Sequence, residues 1–194
     1  AKKFIAYFQN YTNTFLPLHK FRSYLMEAAQ TEDIAGISVS TRPDCITREY
    51  LDVMKEISGE YNLKITVEYG LQTANYHTLR QIDRGHTLAE YLDAVLMTAP
   101  YGFDICTHVI LYLPGDTMED VIETAKILSA LPVQIVKLHS LYIPKGSRLY
   151  EDFEHGKIEL CSADEYLKRL CQFICHVRGD MVIERLFSRV PKED

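Results

Sequence analysis

Glu68, Gly70 and Gln72 alternate at the end of one short stretch, IleThrValGluTyrGlyLeuGln (65–72), and Arg84 follows twelve positions after Gln72. Alternate residues of an extended chain share a face. A carboxylate, a gap without a side chain and an amide therefore line up toward one side. A cation arrives from the next segment. The pattern suggests polar groups gathered around a ligand at the carboxyl end of the stretch. Polar groups close the other apolar runs too: GlnAsnTyrThrAsnThr (9–14), SerThrArgProAsp (40–44), His108 followed by LeuProGlyAsp (113–116), and Lys137 and His139 followed by IleProLysGlySer (143–147).

The elements that must carry these groups follow from periodicity. The runs 3–8, 36–39, 64–68, 105–111, 134–139 and 181–184 are short and rich in β-branched or aromatic residues, which predicts strands. Helical patterns lie between them. Thr87 with Glu90, and Ser162 with Glu165, have the spacing of a capping box. Behind those caps, Tyr91, Leu92, Val95 and Leu96 predict one apolar helix face, and Tyr166, Leu167, Leu170 and Ile174 another. A further helix is expected after Asp116, with Met118, Val121, Ile122, Ala125 and Leu128 at core spacing. Alternating strands and helices predict an α/β fold with a parallel sheet, open or closed toward a barrel. In both, ligands collect at the carboxyl ends of the strands.

Composition narrows the classes. The 194 residues are 47 % hydrophobic and contain no Pro/Gly/Ser-rich linker, so a single domain over 1–194 is expected. A net charge of −6 leaves no basic footprint for non-specific nucleic-acid binding. No apolar run approaches the roughly 20 residues of a membrane span, and the first residues lack the pattern of a signal peptide. Five cysteines, an odd number, fit a reducing cytoplasm better than a disulfide framework. The seven histidines form no HExxH arrangement, which disfavours a zinc hydrolase. Cys171 and Cys175 make CxxxC, but Arg178 stands where a third cluster ligand would be. Their i, i+4 spacing on an amphipathic helix predicts packed thiols.

Taken in order, FQNYTNT (8–14), STRPD (40–44), VEYGLQT (67–73) with RQIDRGHT (80–87), HVILYLPGDT (108–117) and KLHSLYIPKGSRLY (137–150) resemble motifs of radical S-adenosylmethionine (radical SAM) enzymes. The similarity is to the YhcC/YtqA-type group. More distantly it extends to oxygen-independent coproporphyrinogen oxidase and the catalytic subunit of Elongator. The resemblance implies a partial (β/α)6 TIM-like barrel lacking its first strand and cluster loop. It also implies a 4Fe-4S cluster whose three cysteines lie in an N-terminal segment outside this chain, so that no metal ligand is expected within it. Alone, such a fragment would be inactive.

The same resemblance distributes roles. Asn10, Tyr11 and Thr12 would meet the methionine amino group of S-adenosylmethionine. Ser40 and Gln72 would meet its ribose, Arg84 its carboxylate, and His108 the region of the sugar. For the loop 9–14 a plainer reading is a turn that caps a helix through Asn13 or Thr14. Arg42, Glu68, Lys137 and His139 are candidates to face substrate. Equally, Arg42 can pair with Asp44, and Glu68 with Arg84 or Lys137. His77 and His86 read as loop or helix-end residues, and Tyr150 as closing its segment against the core. Catalytic residues stay unassigned. A flavodoxin or ferredoxin is the electron donor the resemblance implies, and no stable partner is expected. The substrate options are a tRNA base or a small metabolite. Two rivals remain: a non-catalytic TIM-like binding module, and a cluster-independent barrel enzyme using His108, His139 and Glu68 as acid and base.

Overall fold

The computed structural model describes residues 3–10 and 12–187. Six strands form one sheet in chain order, each paired in parallel with the next. They are β1 (Phe4–Phe8), β2 (Ile34–Thr41), β3 (Lys64–Gln72), β4 (Asp104–Ile110), β5 (Ile135–His139) and β6 (Val182–Arg185). All six expected strands are present; β2 runs beyond its expected span through 34–35 and 40–41, and β3 through 69–72, where the buried Tyr69 and Leu71 continue the outward face. The helices are α1 (Leu18–Ala29), α2 (Arg48–Tyr61), α3 (Tyr76–Gln81), α4 (Leu88–Thr98), α5 (Met118–Ala130), α6 (Arg148–Glu154) and α7 (Ala163–His176).

The sheet curls into a half-barrel, and two side chains measure the curl. In a flat sheet β1 and β5 would lie about 19 Å apart, four strand spacings. Yet Lys137 Nζ on β5 sits 4.7 Å from the centre of the Tyr7 ring on β1. Parity then divides the strands by face. Ile37, Val39, Val67, Tyr69, Ile105, Val136 and Leu138 point outward beneath the helices and are fully buried against Leu25, Leu51, Met54, Ile57, Val95, Ala125 and Leu128. Tyr7, Ser38, Ser40, Glu68, Cys106, His108, Lys137 and His139 take the other parity and line the concave side.

Local signals fix the helix starts. Thr87 and Glu90 form the expected capping box, and Thr117 with Asp120 forms another that the sequence reading did not single out. Ser162 caps α7 by accepting from the Glu165 N–H. Other expectations are corrected. Leu96, Leu167 and Ile174 are exposed. Ala94 and Thr98 take the inward positions on α4, while α7 packs through Arg169, Leu170 and Phe173. That rotation turns Cys171 and Cys175 outward, so they are exposed rather than packed thiols. Arg169 is buried because its guanidinium donates to the carbonyls of Leu111, Asp116 and Thr117, tying α7 to the loop after β4. Asn13 and Thr14 do not cap a helix either. Helix α1 starts after Pro17 without a side-chain cap. Asn13 instead donates to the carbonyls of Phe8 and Ser40, both at 2.8 Å, stapling the ends of β1 and β2 together.

Candidate functional site

Glu68 is the centre of the concave face. Its Oε1 accepts from Ser38 Oγ at 2.5 Å and Lys137 Nζ at 2.7 Å. Its Oε2 accepts from His108 Nε2 at 2.7 Å, Tyr7 OH at 2.9 Å and Ser40 Oγ at 3.3 Å. Strands β1 to β5 thus all contribute a donor or the acceptor to one carboxylate. Burial pushes a carboxyl up, but here the hydrogen bonds from His108, Lys137 and Ser38 and the Lys137 charge outweigh it, holding Glu68 far below the ordinary carboxylate range. Lys137 answers in kind: burial would lower it, and the bond and charge of Glu68 raise it instead. Of the pairings open for Glu68 in the sequence, Lys137 is the one formed.

Glu68, Cys106 and His108 bring three potential ligand atoms within 4.8 Å of one another, the one such group among the described residues. The chemistry is wrong for a cation. The Lys137 ammonium already occupies Oε1 of the carboxylate, and burial with the Glu68 charge keeps the Cys106 thiol protonated far above its usual range.

Above this hub, at the carboxyl ends of β1–β4, lies an open cavity of about 310 Å³. Gln9, Thr12, Ser40, Arg42, Gln72 and Arg84 are among its walls, with Glu68 and His108 at its floor. Arg84 directs Nε and Nη2 at the Gly70 carbonyl, at 3.3 and 3.0 Å, and His86 Nε2 shares that oxygen at 3.0 Å. A side chain at position 70 would collide with the Arg84 guanidinium and reach 2.8 Å from the Gln72 amide nitrogen, so glycine keeps the cradle open. Gln72 has φ +75° beside a register shift in the β3–β4 pairing. A left-handed non-glycine residue costs about 1–2 kcal/mol, and here it turns the amide back over the concave side. Arg42 lines the cavity while making a two-pronged pair with Asp44, at 2.9 and 2.6 Å, and donating to Gly85 O. The pairing with Asp44 that the sequence allowed is formed.

A second cavity, about 910 Å³, adjoins the first through Gln9, Gln72 and His108. His139, Ser140, Tyr142, Arg185 and Phe187 also border it. His139 Nε2 lies 3.1 Å from His108 Nδ1, with the rings stacked at 19°. Burial first, then the charges of His108, Arg185 and Lys137, push His139 down to about 4.

Of the residues proposed from the sequence, Thr12, Ser40, Arg42, Glu68, Gln72, Arg84 and His108 converge on the smaller cavity, and His139 opens on the larger. Asn10 is exposed and lines neither, because Gln9 and Thr12 turn inward in its place. Tyr11 lies outside the described residues. Lys137 faces neither of these cavities. It sits two residues earlier on β5 than His139, hence one layer lower, and serves Glu68 as counter-ion. The sequence reading missed Tyr7 and Ser38, which the period-two pattern puts one layer below Gln9 and Ser40. His86 lies in a loop, as expected, but its burial, 4 % exposed, and its contact with the Gly70 carbonyl were not foreseen.

The sequence matches the Radical SAM superfamily over residues 2–128 and the Radical SAM C-terminal domain over residues 133–194. The chain belongs to the radical SAM superfamily. It is 34 % identical to the protein MJ0486 of Methanocaldococcus jannaschii over 192 residues, and 34 % identical to YtqA of Bacillus subtilis over 191. Each alignment covers 98 % of this chain and 59 % of the relative, so the chain spans somewhat over half the length of these relatives. The solved structure of an archaeal Elp3 from Methanocaldococcus infernus superposes with a TM-score of 0.85 at 15 % identity, covering 97 % of this chain and 49 % of the other. This agrees with the expected radical SAM half-barrel fold.

Two groups named by the superfamily can be tested against these residues. S-adenosylmethionine fits the smaller cavity: a guanidinium and an amide converge over a glycine whose Cβ would fill the space, with the hydroxyls of Thr12 and Ser40 opposite. An iron–sulfur cluster does not fit the described residues. Cys106 is buried in the hub, Cys45 and Cys161 are half-buried, Cys171 and Cys175 are exposed on α7, and no three cysteines come together.

Proposed function

We propose that this chain is the S-adenosylmethionine-binding core of a radical SAM enzyme, with cofactor in the smaller cavity and substrate in the larger. The observation that carries this reading is the convergence of Arg84, Gln72, Ser40 and Thr12 on one cavity that Gly70 keeps open. With a reduced 4Fe-4S cluster held outside the described residues, S-adenosylmethionine bound by Arg84, Gln72, Ser40 and Thr12 would supply radical chemistry for hydrogen abstraction. The chain's own residues then have separable tasks. Arg84 takes the ligand's carboxylate, and Gln72 and Ser40 take the ribose hydroxyls. Gln9, Gln72 and His108 form the shared wall that sets the distance between the two occupants. The electron donor in this reading is a flavodoxin or ferredoxin, and a tRNA base or a small metabolite fills the larger cavity.

Calorimetric titration with S-adenosylmethionine tests the assignment. Arg84→Ala and Gln72→Ala each remove hydrogen bonds to the ligand, costing about 1–3 kcal/mol. Unchanged affinity in both variants would reject the roles given to them. For the reaction itself, full-length protein reconstituted anaerobically with iron and sulfide must release 5′-deoxyadenosine on reduction. No release from protein that holds its cluster refutes the enzymatic reading.

A further inference from the structure

Arg185 closes the last apolar run, the position at which the other strands carry the groups of the two cavities. We propose that the larger cavity binds a small organic anion, a carboxylate or a phosphate monoester, with its charged end on Arg185 and its apolar body against Ile110, Leu186 and Phe187. The inference rests on the reading above for that cavity and names the class of its substrate.

Register places the guanidinium. Arg185 on β6 is paired with Lys137 on β5, so the two side chains share the concave face. Lys137 is buried in the hub, whereas Arg185 is exposed and borders the larger cavity. Glu184, its chain neighbour, turns to Lys137 Nζ at 3.2 Å, and Glu68 is held by the same ammonium at 2.7 Å. None of the ion pairs formed among the described residues includes Arg185. Its charge still reaches the cavity, being one of the causes that hold His139 below its ordinary range.

The walls select the sign of the ligand. The chain carries 27 Asp and Glu residues and a net charge of −6, yet none of the described residues bordering the larger cavity is an acid. Arg185 is the one permanent cation among them. A guanidinium facing an acid-free cavity favours an anion, and it can hold a carboxylate or a phosphate through two parallel hydrogen bonds. One cation suits one anionic group. A nucleic-acid backbone carries a charge at every nucleotide and calls for a row of cations, which the described walls lack.

Shape supplies the rest. Leu186 and Phe187 are large apolar side chains left 45 % and 60 % exposed at the cavity's edge. Tyr166 OH donates to the Leu186 carbonyl at 2.6 Å and pins that segment. Gln72, on the wall shared with the smaller cavity, stands on β3, three strand spacings from β6. That is about 14 Å along the sheet, and less across its curl. The substrate is therefore held by its charged end at β6, and its uncharged body lies toward the cofactor.

Calorimetric titration of the full-length protein with phenylacetate, phenyl phosphate and the neutral phenylacetamide tests the assignment. At least one anion should bind about tenfold more tightly than the amide, and the better of the two identifies the anionic group as carboxylate or phosphate. Arg185→Gln should weaken that anion by about tenfold or more and leave the binding of the amide unmoved. Arg185→Lys keeps the charge without the fork and should recover part of the loss. Because Arg185 is exposed, both variants should melt at the wild-type temperature by circular dichroism. Equal binding of anions and amide, no binding of either anion at millimolar concentration, or unchanged affinity in Arg185→Gln overturns the proposal. So does a single-stranded RNA oligonucleotide that binds through Arg185 where neither anion does. The titrations are run without S-adenosylmethionine and read the larger cavity by itself. A failure of S-adenosylmethionine to bind, measured separately, rejects the cofactor assignment and leaves the anion site standing.

Discussion

Replacing Lys137 by Met isolates the interaction on which the concave face depends. Both partners are nearly inaccessible, with side-chain exposures of 5 % for Lys137 and 3 % for Glu68, so solvent screens the pair little. Methionine keeps the length and volume of the stem but leaves a buried carboxylate without its counter-ion. Removing one member of such a pair costs about 3–5 kcal/mol. For a chain of this size that corresponds to a fall in Tm of about 6–20 °C. Urea unfolding at neutral pH, with thermal melts in parallel, reads the loss directly. The pH dependence supplies a second check. Glu68 is held below its ordinary value of 4.5, so its stabilisation is fully present above that pH and drains away as pH falls toward the folded value. Lys137 is held above its ordinary 10.5, so the same interaction is intact below that pH and is lost as pH climbs through the raised value. The two shifts describe one contact and count once. The gap between wild type and Lys137→Met should therefore be flat from about pH 5 to 10 and narrow on either side. A loss below about 1 kcal/mol at pH 7 would place the pair in the range of a surface contact. Such a loss, or a gap that ignores acid, refutes the buried ion pair.

Gly70→Ala puts a methyl group against the Arg84 guanidinium and the Gln72 amide. It should lower S-adenosylmethionine affinity at least tenfold while unfolding free energy changes little, because the methyl meets only the far ends of two flexible side chains; equal affinity in calorimetry would show that the cradle is not the ligand site. Gln72→Gly separates fold from function. Relief of the left-handed backbone offsets the added freedom of the unfolded chain, so unfolding free energy should stay within about 1 kcal/mol of wild type. Affinity for S-adenosylmethionine should fall by fivefold or more.

The fold was legible because two signals did separate work. Short runs rich in β-branched or aromatic residues in 36–39, 64–68 and 105–111 identified strands, and spacing near 3.6 from Val121 to Leu128 identified a helix. The rim of the site followed because Glu68, Gln72, His108 and His139 sit where apolar runs give way to polar ones. What escaped depends on curvature and rotation, which a one-dimensional pattern does not carry. Tyr7 meets Glu68 only because β1 and β3 curl toward each other, and of the roles the sequence left open for Lys137 the pairing with Glu68 is realised because it lies one layer deeper than His139. On α7, composition marked Leu167 and Ile174 as inward, but Arg169 finds three carbonyls beyond the end of β4 and sets the helix's rotation. The burial of His86 carries no local signal, since it is made by the loop that also brings Arg84 back to Gly70.

One carboxylate accounts for the order in which the concave face is built. A half-barrel whose inner parity is polar needs partners for every buried polar group, because an unpaired one costs as much as a good hydrogen bond contributes. Glu68 supplies both oxygens to donors from four other strands, and the Lys137 charge lets it remain ionised while doing so. The hub therefore closes the interior below and fixes His108 above. His108 in turn is part of the wall common to both cavities, together with Gln9 and Gln72. Under the function proposed above, strand register, Gly70 against His108 and His108 against Lys137, fixes much of the distance between the two cavities. The hydrogen abstraction proposed for this site would demand that kind of rigid spacing, and a β-ladder holds it more tightly than a loop can.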